Sequence, residues 1–247
     1  MTETLVFVGA LAGGFVSGLA GFGTGLTALG IWLYAMTPPL AASLVVVCSV
    51  AAQVQTIPVI WHAINMRAMA PFIVGGLLGV PVGTSLVLYL DPYWFRLGVG
   101  IVLLVFSTVM LRGQSTRALI KGGRAADTVV GFGGGVLGGL AGMSGPLPTM
   151  YATLRAWGKD QRRSVLQAFN LTILVVAMVT HAMSGMLNAE LWRLVLVAIP
   201  GTFLGAWLGA RLYRRLSDLR FHRIILILLG TSGAVLVATS VTKVIGS

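Results

Sequence analysis

The stretch GGFVSGLAGFGTGL, residues 13–26, lies in the middle of an apolar segment that runs from residue 4 to residue 36. A straight helix over that segment would be about 50 Å long, whereas the hydrocarbon core of a bilayer is about 30 Å thick. Each glycine inside a helix costs about 1 kcal/mol relative to alanine, and four glycines fall between residues 18 and 25. The stretch therefore predicts a break at which the chain turns back on itself inside the membrane.

The same glycine pattern occurs a second time in the chain. GGVLGGLAGMSGPL, residues 134–147, repeats the opening stretch at an offset of 121. FLGAWLGARL, residues 203–212, matches LLGVPVGTSL, residues 77–86, at an offset of 126. Such internal similarity indicates a tandem repeat. The predicted organisation is a first repeat over 1–112, a basic cytoplasmic linker over 113–125 and a second repeat over 126–247.

The composition is that of a polytopic membrane protein, whose partner is the lipid bilayer. Of the 247 residues, 57% are hydrophobic and 9% are charged, and uncharged runs recur from end to end. The net charge of +11 comes from basic residues in short loops, which indicates membrane topology and argues against nucleic acid binding. The apolar segments are 4–36, 40–62, 68–90, 94–112, 126–157, 164–187, 190–212 and 219–243.

The positions of the 17 basic residues test whether the glycine clusters are turns. If all eight segments crossed the bilayer and the N-terminus lay inside, seven basic residues would face the cytoplasm and ten would face outward, against the positive-inside rule. If the two long segments fold back and the N-terminus lies outside, fourteen face inward and only Arg96, Arg193 and Lys243 face outward. The charges favour an all-α polytopic fold of two inverted repeats, each a glycine-broken helical hairpin plus three transmembrane helices, which is a transporter architecture.

Other glycines have a different predicted role. Gly75 and Gly79 in the first repeat, and Gly205 and Gly209 in the second, follow the small-xxx-small spacing that lets two membrane helices approach closely. We expect these four residues to lie at helix contacts and not at breaks.

The predicted breaks carry groups that suit a small anion. The first N–H groups of each returning half-helix, near Thr24 and Ser144, have no acceptor within the helix and lie at the positive end of its dipole. The two hydroxyls add donors, and Pro146 and Pro148 fit a first helical turn, where no N–H is required. A small oxyanion is the expected ligand, and a sodium ion held by the freed carbonyls is the alternative.

Polar stripes on two other segments complete the predicted site. Ser49 and Gln53 lie on one face of the segment 40–62, and Gln167 and Asn170 lie on one face of the segment 164–187. Such stripes either line a cavity or bond between helices. The predicted substrate-binding residues are Gly21, Phe22, Gly23, Thr24, Gly25, Ser49, Gln53, Gly142, Met143, Ser144, Gly145, Gln167 and Asn170.

Ionisable groups are nearly absent from the apolar segments. Every aspartate and glutamate lies at or near a segment end, so the sequence predicts no catalytic residue, no metal site and no cofactor. His62 and His181, near the ends of their segments, are the candidates for proton coupling. The alternative for both is a capping or interfacial role.

The glycine block GLAGFGTGL, its second copy GLAGMSGP, the basic linker and the length of the chain together resemble the TauE/SafE family, the permeases of the sulfite exporter or toluene-sulfonate uptake type. The resemblance covers essentially the whole chain. It implies a transporter of the bacterial inner membrane, not an enzyme, that moves sulfite, a sulfonate or a related organosulfur anion.

Two alternatives of other kinds remain at this stage. A passive anion channel would differ from a carrier in mechanism only. The run Gly142 to Gly145 spells G-x-S-G, the serine motif of rhomboid-like proteases, with His181 as a possible base; the repeat explains the motif better, because the first copy reads Gly-Phe-Gly-Thr. A homo-oligomer is compatible with both of these alternatives.

Overall fold

The computed structural model describes residues 2–56, 66–112, 122–155, 159–213 and 218–245. These residues form ten α-helices, five up to residue 112 and five from residue 124 onward, and no strand. The first five are α1 (Thr2–Ala20), α2 (Thr24–Trp32), α3 (Pro38–Thr56), α4 (Met66–Tyr89) and α5 (Pro92–Arg112). The second five are α6 (Arg124–Ala141), α7 (Pro146–Leu154), α8 (Lys159–Met183), α9 (Ala189–Tyr213) and α10 (Asp218–Ile245).

Within the described part of the chain, six helices are long and apolar enough to cross a bilayer: α1, α3, α4, α5, α8 and α9. The helix α10 contains a shorter apolar stretch, residues 229–241. Each of the six shorter predicted segments holds one helix, and each of the two long ones holds two. The prediction of an all-α polytopic membrane protein is confirmed.

The first long segment breaks at its glycines. Gly21 and Gly23 adopt φ angles of 80° and 114°, which a residue with a Cβ rarely adopts. The helix α2 then runs back along α1, since Thr24 faces Gly13 near the break and the indole of Trp32 donates to the carbonyl of Val6 (3.2 Å) at the other end. The limbs are unequal, because the 19 residues of α1 extend about 28 Å and the nine residues of α2 about 13 Å.

The second long segment breaks in the same place relative to the repeat. Gly142 adopts a φ of 64° and ends α6 in the αL motif, in which its N–H donates to the carbonyl of Gly138 (2.8 Å). The N–H of Met143 donates to the carbonyl of Leu137 (3.1 Å). The helix α7 returns along α6. Arg155, at the end of α7, forms a 2.9 Å ion pair with Asp127, in the first turn of α6.

The two halves are joined by helix pairs that cross between them. α4 packs along α6, and α9 packs along α1. At these contacts a Cβ on Gly79 would overlap the carbonyl oxygen of Phe132, and a Cβ on Gly205 would overlap that of Leu11. A Cβ on Gly75 would likewise overlap the carbonyl oxygen of Thr128, and a Cβ on Gly209 would overlap that of Phe15. The predicted packing role of these four glycines is confirmed.

Equivalent helices of the two halves run in opposite directions where they meet. On α5 and α10, Gly100 lies beside Val237 and Ser107 lies beside Gly230. On α3 and α8, Ser43 lies beside His181, whereas the later part of α3 and the earlier part of α8 meet at the breaks. The directions agree with a two-fold relation between the halves.

Candidate functional site

The helix α2 begins at the first break and presents its N-terminus to the interior. Its N-cap is Gly23, and no side chain caps the first turn. The N–H groups of Thr24, Gly25 and Leu26 are the first three of the helix and therefore have no acceptor within it. The Thr24 hydroxyl is buried and has no hydrogen-bond partner among the described residues.

The helix α7 begins at the second break and faces the same interior. Its N-cap is Gly145, Pro146 occupies the first helical position, and again no side chain caps the turn. Ser144, just before this turn, donates its hydroxyl to Oδ1 of Asn170 on α8 (2.9 Å). Nδ2 of Asn170 is buried and has no partner in the described part of the chain.

Some carbonyl groups near the breaks are, in contrast, bonded. Gln53 on α3 donates from Nε2 to the carbonyl of Gly21 (2.8 Å). The N–H of Gly21 donates to the carbonyl of Ser17 (2.7 Å), and the carbonyls of Gly138 and Leu137 on α6 accept from Gly142 and Met143. Two buried donors, on Thr24 and Asn170, are therefore left over at this site, whereas the Gly21 carbonyl already accepts a hydrogen bond.

A small cavity lies between the two breaks. It measures about 10 Å³ as space open to the centre of a water molecule, which is room for one water. Its lining includes eleven of the thirteen predicted substrate-binding residues: Phe22, Gly23, Thr24, Gly25, Ser49, Gln53, Gly142, Met143, Ser144, Gly145 and Asn170. Their role in binding stays a prediction.

The other two predicted residues lie just behind the lining. Gln167 stands close to Gly21, since a Cβ on Gly21 would be 3.7 Å from Gln167 Oε1. Sequence reasoning missed four lining residues: Ser17, Leu26, Pro146 and Leu174. Leu174 could have been found, because the offset of 121 maps Gln53 onto it.

Two repeat-equivalent side chains, Phe22 and Met143, close the cavity by crossing from one hairpin to the other. The Phe22 ring lies over Gly145, where a Cβ would be 2.6 Å from Cδ2 of the ring. Met143 packs in turn against Gly25, where a Cβ would be 2.9 Å from Cγ of Met143. Phe22 also makes an edge-on contact with Phe106 of α5, with ring centroids 5.9 Å apart. The tips of the hairpins therefore interlock around the cavity.

His181 lies apart from the cavity and bonds three helices together. Its Nε2 donates to the carbonyl of Gly139 on α6 (2.7 Å), and its Nδ1 is 3.0 Å from the Ser43 hydroxyl on α3. This geometry supports the interfacial role. It also separates the two groups of the protease alternative, because Ser144 is bonded to Asn170 and not to His181. His62 lies outside the described residues.

We expect His181→Ala to lower the free energy of unfolding by about 1–3 kcal/mol, because two buried partners lose their hydrogen bonds. Thermal unfolding of the detergent-solubilised protein measures this loss, and Ser43→Ala, which removes one of the two bonds, should cost less. The pH profile of transport should keep its shape in both variants. A stable His181→Ala protein with a flattened pH profile would instead assign this histidine to proton coupling.

The fold and the site together define a class: an all-helical polytopic membrane protein in which two broken helices meet at a buried polar cavity. The family model described as Sulfite exporter TauE/SafE matches residues 5–236, so the chain belongs to this family. The predicted resemblance is confirmed, and membership assigns the chain to membrane transport in a family of transporters, not enzymes. No curated protein and no solved structure matches the chain.

Proposed function

We propose that the protein carries a small sulfur oxyanion, sulfite or a small sulfonate, across the bacterial inner membrane by alternating access. The ligand would bind between the two glycine breaks and the polar faces of α3 and α8. The observation that carries this proposal is an imbalance between hydrogen-bond donors and acceptors at the breaks. Thr24 and Asn170 have buried donors without a partner among the described residues, whereas the carbonyl of Gly21 already accepts a bond.

The same imbalance favours an anion over a sodium ion. Sodium needs several free oxygen ligands, whereas an oxyanion needs donors. Two helix N-termini without side-chain caps face the cavity, and buried donors that lack partners are costly unless a ligand satisfies them. An oxyanion with several acceptor oxygens meets that requirement.

The small size of the cavity favours a carrier over a passive channel. Sulfite is larger than the single water for which the cavity has room, so the lining, which includes Phe22 and Met143, has to move when a ligand binds. Phe22 and Met143 each belong to one hairpin and pack on the other. Rocking of one half against the other would therefore release one of these two contacts at a time. Inverted repeats around a central site support this kind of motion.

A flux assay in proteoliposomes tests the proposed function. Sulfite, sulfoacetate, thiosulfate and sulfate would each be supplied, with and without pH and sodium gradients, and empty liposomes give the background. We expect saturable sulfite movement above that background. If none of these anions moves, the proposed substrate class is wrong; non-saturating flux would favour the channel.

The proposed topology can be tested by cysteine accessibility. Thr2 and Thr37 are exposed residues on either side of the first hairpin. In a Cys48→Ser background, Thr2→Cys and Thr37→Cys should both react with an impermeant thiol reagent from the periplasmic side, because a hairpin begins and ends on one side of the membrane. Labelling from opposite sides would mean that the segment crosses.

A further inference from the structure

Among the described residues, the lining of the cavity between the breaks contains no charged side chain, and this bears on the charge of the ligand. Each described lining residue is neutral, and the polar ones are serine, threonine, glutamine and asparagine. The positive potential at the site therefore has to come from the backbone. A ligand with more negative charge than the backbone can balance would be an uncompensated charge in the membrane interior.

Two helices supply that backbone charge. Both α2 and α7 are nine residues long and begin at the cavity. The N-terminus of a helix acts as about half of an elementary charge, so two of them amount to about one. The opposing partial charge at the C-terminal ends of α1 and α6 is reduced, since the carbonyls of Gly138 and Leu137 accept from Gly142 and Met143, and Gln53 donates to the carbonyl of Gly21.

Arginine side chains lie at the C-terminal ends of α2 and α7, away from the cavity. They therefore do not neutralise the positive N-terminal ends, which face it. Nη2 of Arg96 donates to the carbonyl of Leu33 (2.8 Å), which is the C-cap of α2. Arg155 is the C-cap of α7 and pairs with Asp127. A cation at a helix C-terminus stabilises the dipole and does not cancel its positive end.

Other ionisable side chains that the structure describes on the surrounding helices also lie away from the cavity. His181, seven residues beyond Leu174 on α8 and so about 10 Å farther along the helix, is bonded to Gly139 and Ser43. Tyr151 on α7 donates to Asp127, and Cys48 on α3 is in the apolar core. The remaining ionisable residues of these helices and of α4, α5 and α9 whose side chains the structure describes, none in the lining, are Glu3, Arg67, Tyr89, Tyr93, Arg112, Arg124, Glu190, Arg193 and Arg211.

Resting on the proposed function, we propose that the site selects a monoanion with three oxygens on sulfur, hydrogensulfite or a small sulfonate, and rejects dianions. The two helix N-termini balance one negative charge, and the buried donors of Thr24 and Asn170 bind the oxygens. Because hydrogensulfite and the sulfite dianion interconvert near neutral pH, the protein then moves a proton together with the substrate and needs no acidic side chain of its own for this.

The first test is the pH dependence of sulfite flux in proteoliposomes at equal pH on both sides and constant total sulfite. Above the pKa of hydrogensulfite the rate should fall about tenfold per pH unit, following the monoanion fraction. Background from empty liposomes is subtracted at every pH. A rate that stays level or rises with pH overturns the selection of a monoanion and leaves sulfite transport standing, whereas absent flux at every pH contradicts the proposed function itself.

The second test needs no flux and compares two tetrahedral anions of similar size, methanesulfonate and sulfate, as ligands of the detergent-solubilised protein. Methanesulfonate should raise the unfolding temperature in a saturable way, and Asn170→Leu should remove this shift. Sulfate should give only the non-saturating stabilisation that it gives proteins in general, equal in both proteins. A saturable sulfate effect as strong as that of methanesulfonate, and lost in Asn170→Leu, would overturn the proposal. A protein that saturates with neither anion would also contradict it.

Discussion

Replacement of Asn170 by leucine is expected to lower sulfite transport at sub-saturating substrate about tenfold to a hundredfold, and to lower the free energy of unfolding by about 1–3 kcal/mol. The side chain is buried, and its Nδ2 group has no partner among the described residues. A hydrogen bond to a charged group contributes about 1.5–3 kcal/mol, which corresponds to that range of affinities. Leucine has a similar volume and removes the Nδ2 group, and the cost in stability falls on Ser144, whose buried hydroxyl loses its acceptor.

The measurement is the initial rate of sulfite flux against concentration, together with thermal unfolding in detergent. The effect should appear as a higher KM. Asn188→Ala is the matched control, because Oδ1 of Asn188 accepts from the N–H of Leu191 at the start of α9 (2.9 Å). The loss of this cap should cost about 1 kcal/mol of stability and leave the KM unchanged. Equal KM values for the wild-type protein and Asn170→Leu would remove this residue from the site.

The second large effect is expected for Gly142→Ala, which should both destabilise the protein and suppress transport. Gly142 has a φ of 64°, and a residue with a Cβ in this region costs about 1–3 kcal/mol. The new Cβ would also lie 2.5 Å from Cγ1 of Val45 on α3. The tip of the second hairpin must then shift, and that tip holds the donors of Ser144 and the start of α7.

Variants of two other glycines separate the two contributions to this effect, the backbone strain and the steric overlap of the new Cβ. Gly185 has a φ of 72°, and no described atom lies within 4 Å of the place that a Cβ would take, so Gly185→Ala should show the backbone strain alone. Gly98, inside α5, has equal space and an ordinary helical backbone, so Gly98→Ala should be neutral or slightly stabilising. Thermal unfolding and sulfite flux of the three variants give the comparison. A Gly142→Ala protein that transports as well as Gly185→Ala would show that the shape of the second break is not needed.

The breaks could be predicted from the sequence because a lipid environment makes length and glycine content informative. An apolar segment as long as 4–36 has to tilt or turn, and the backbone at Gly21 and Gly23 can turn where other residues cannot. The offset of 121 extends the prediction to Gly142. The polar stripes are visible for a related reason, since buried Gln53 and Asn170 are conspicuous in apolar helices.

Contacts across the cavity could not be predicted in this way. Nothing in the spacing of Phe22 and Met143 shows that each packs on the opposite hairpin, because that depends on how the hairpin tips meet. The sequence does not decide the role of His181 for the same reason, as its partners Gly139 and Ser43 lie on two other helices. Ser17 gives no signal at all, since it is an isolated serine among the small residues of α1.

The sequence by itself determined that this chain lies in a membrane, that its glycine pattern occurs twice at an offset of 121, and that the chain breaks at each copy. Those properties follow from local terms: hydropathy, the conformational freedom of glycine and the positions of charge along the chain. Only the tertiary structure decided which helices pair between the halves, and that Thr24 and Asn170 keep donors without a partner among the described residues while the carbonyl of Gly21 is bonded. These depend on long-range packing at Gly79, Gly205 and the cavity, where steric fit between distant residues selects one arrangement.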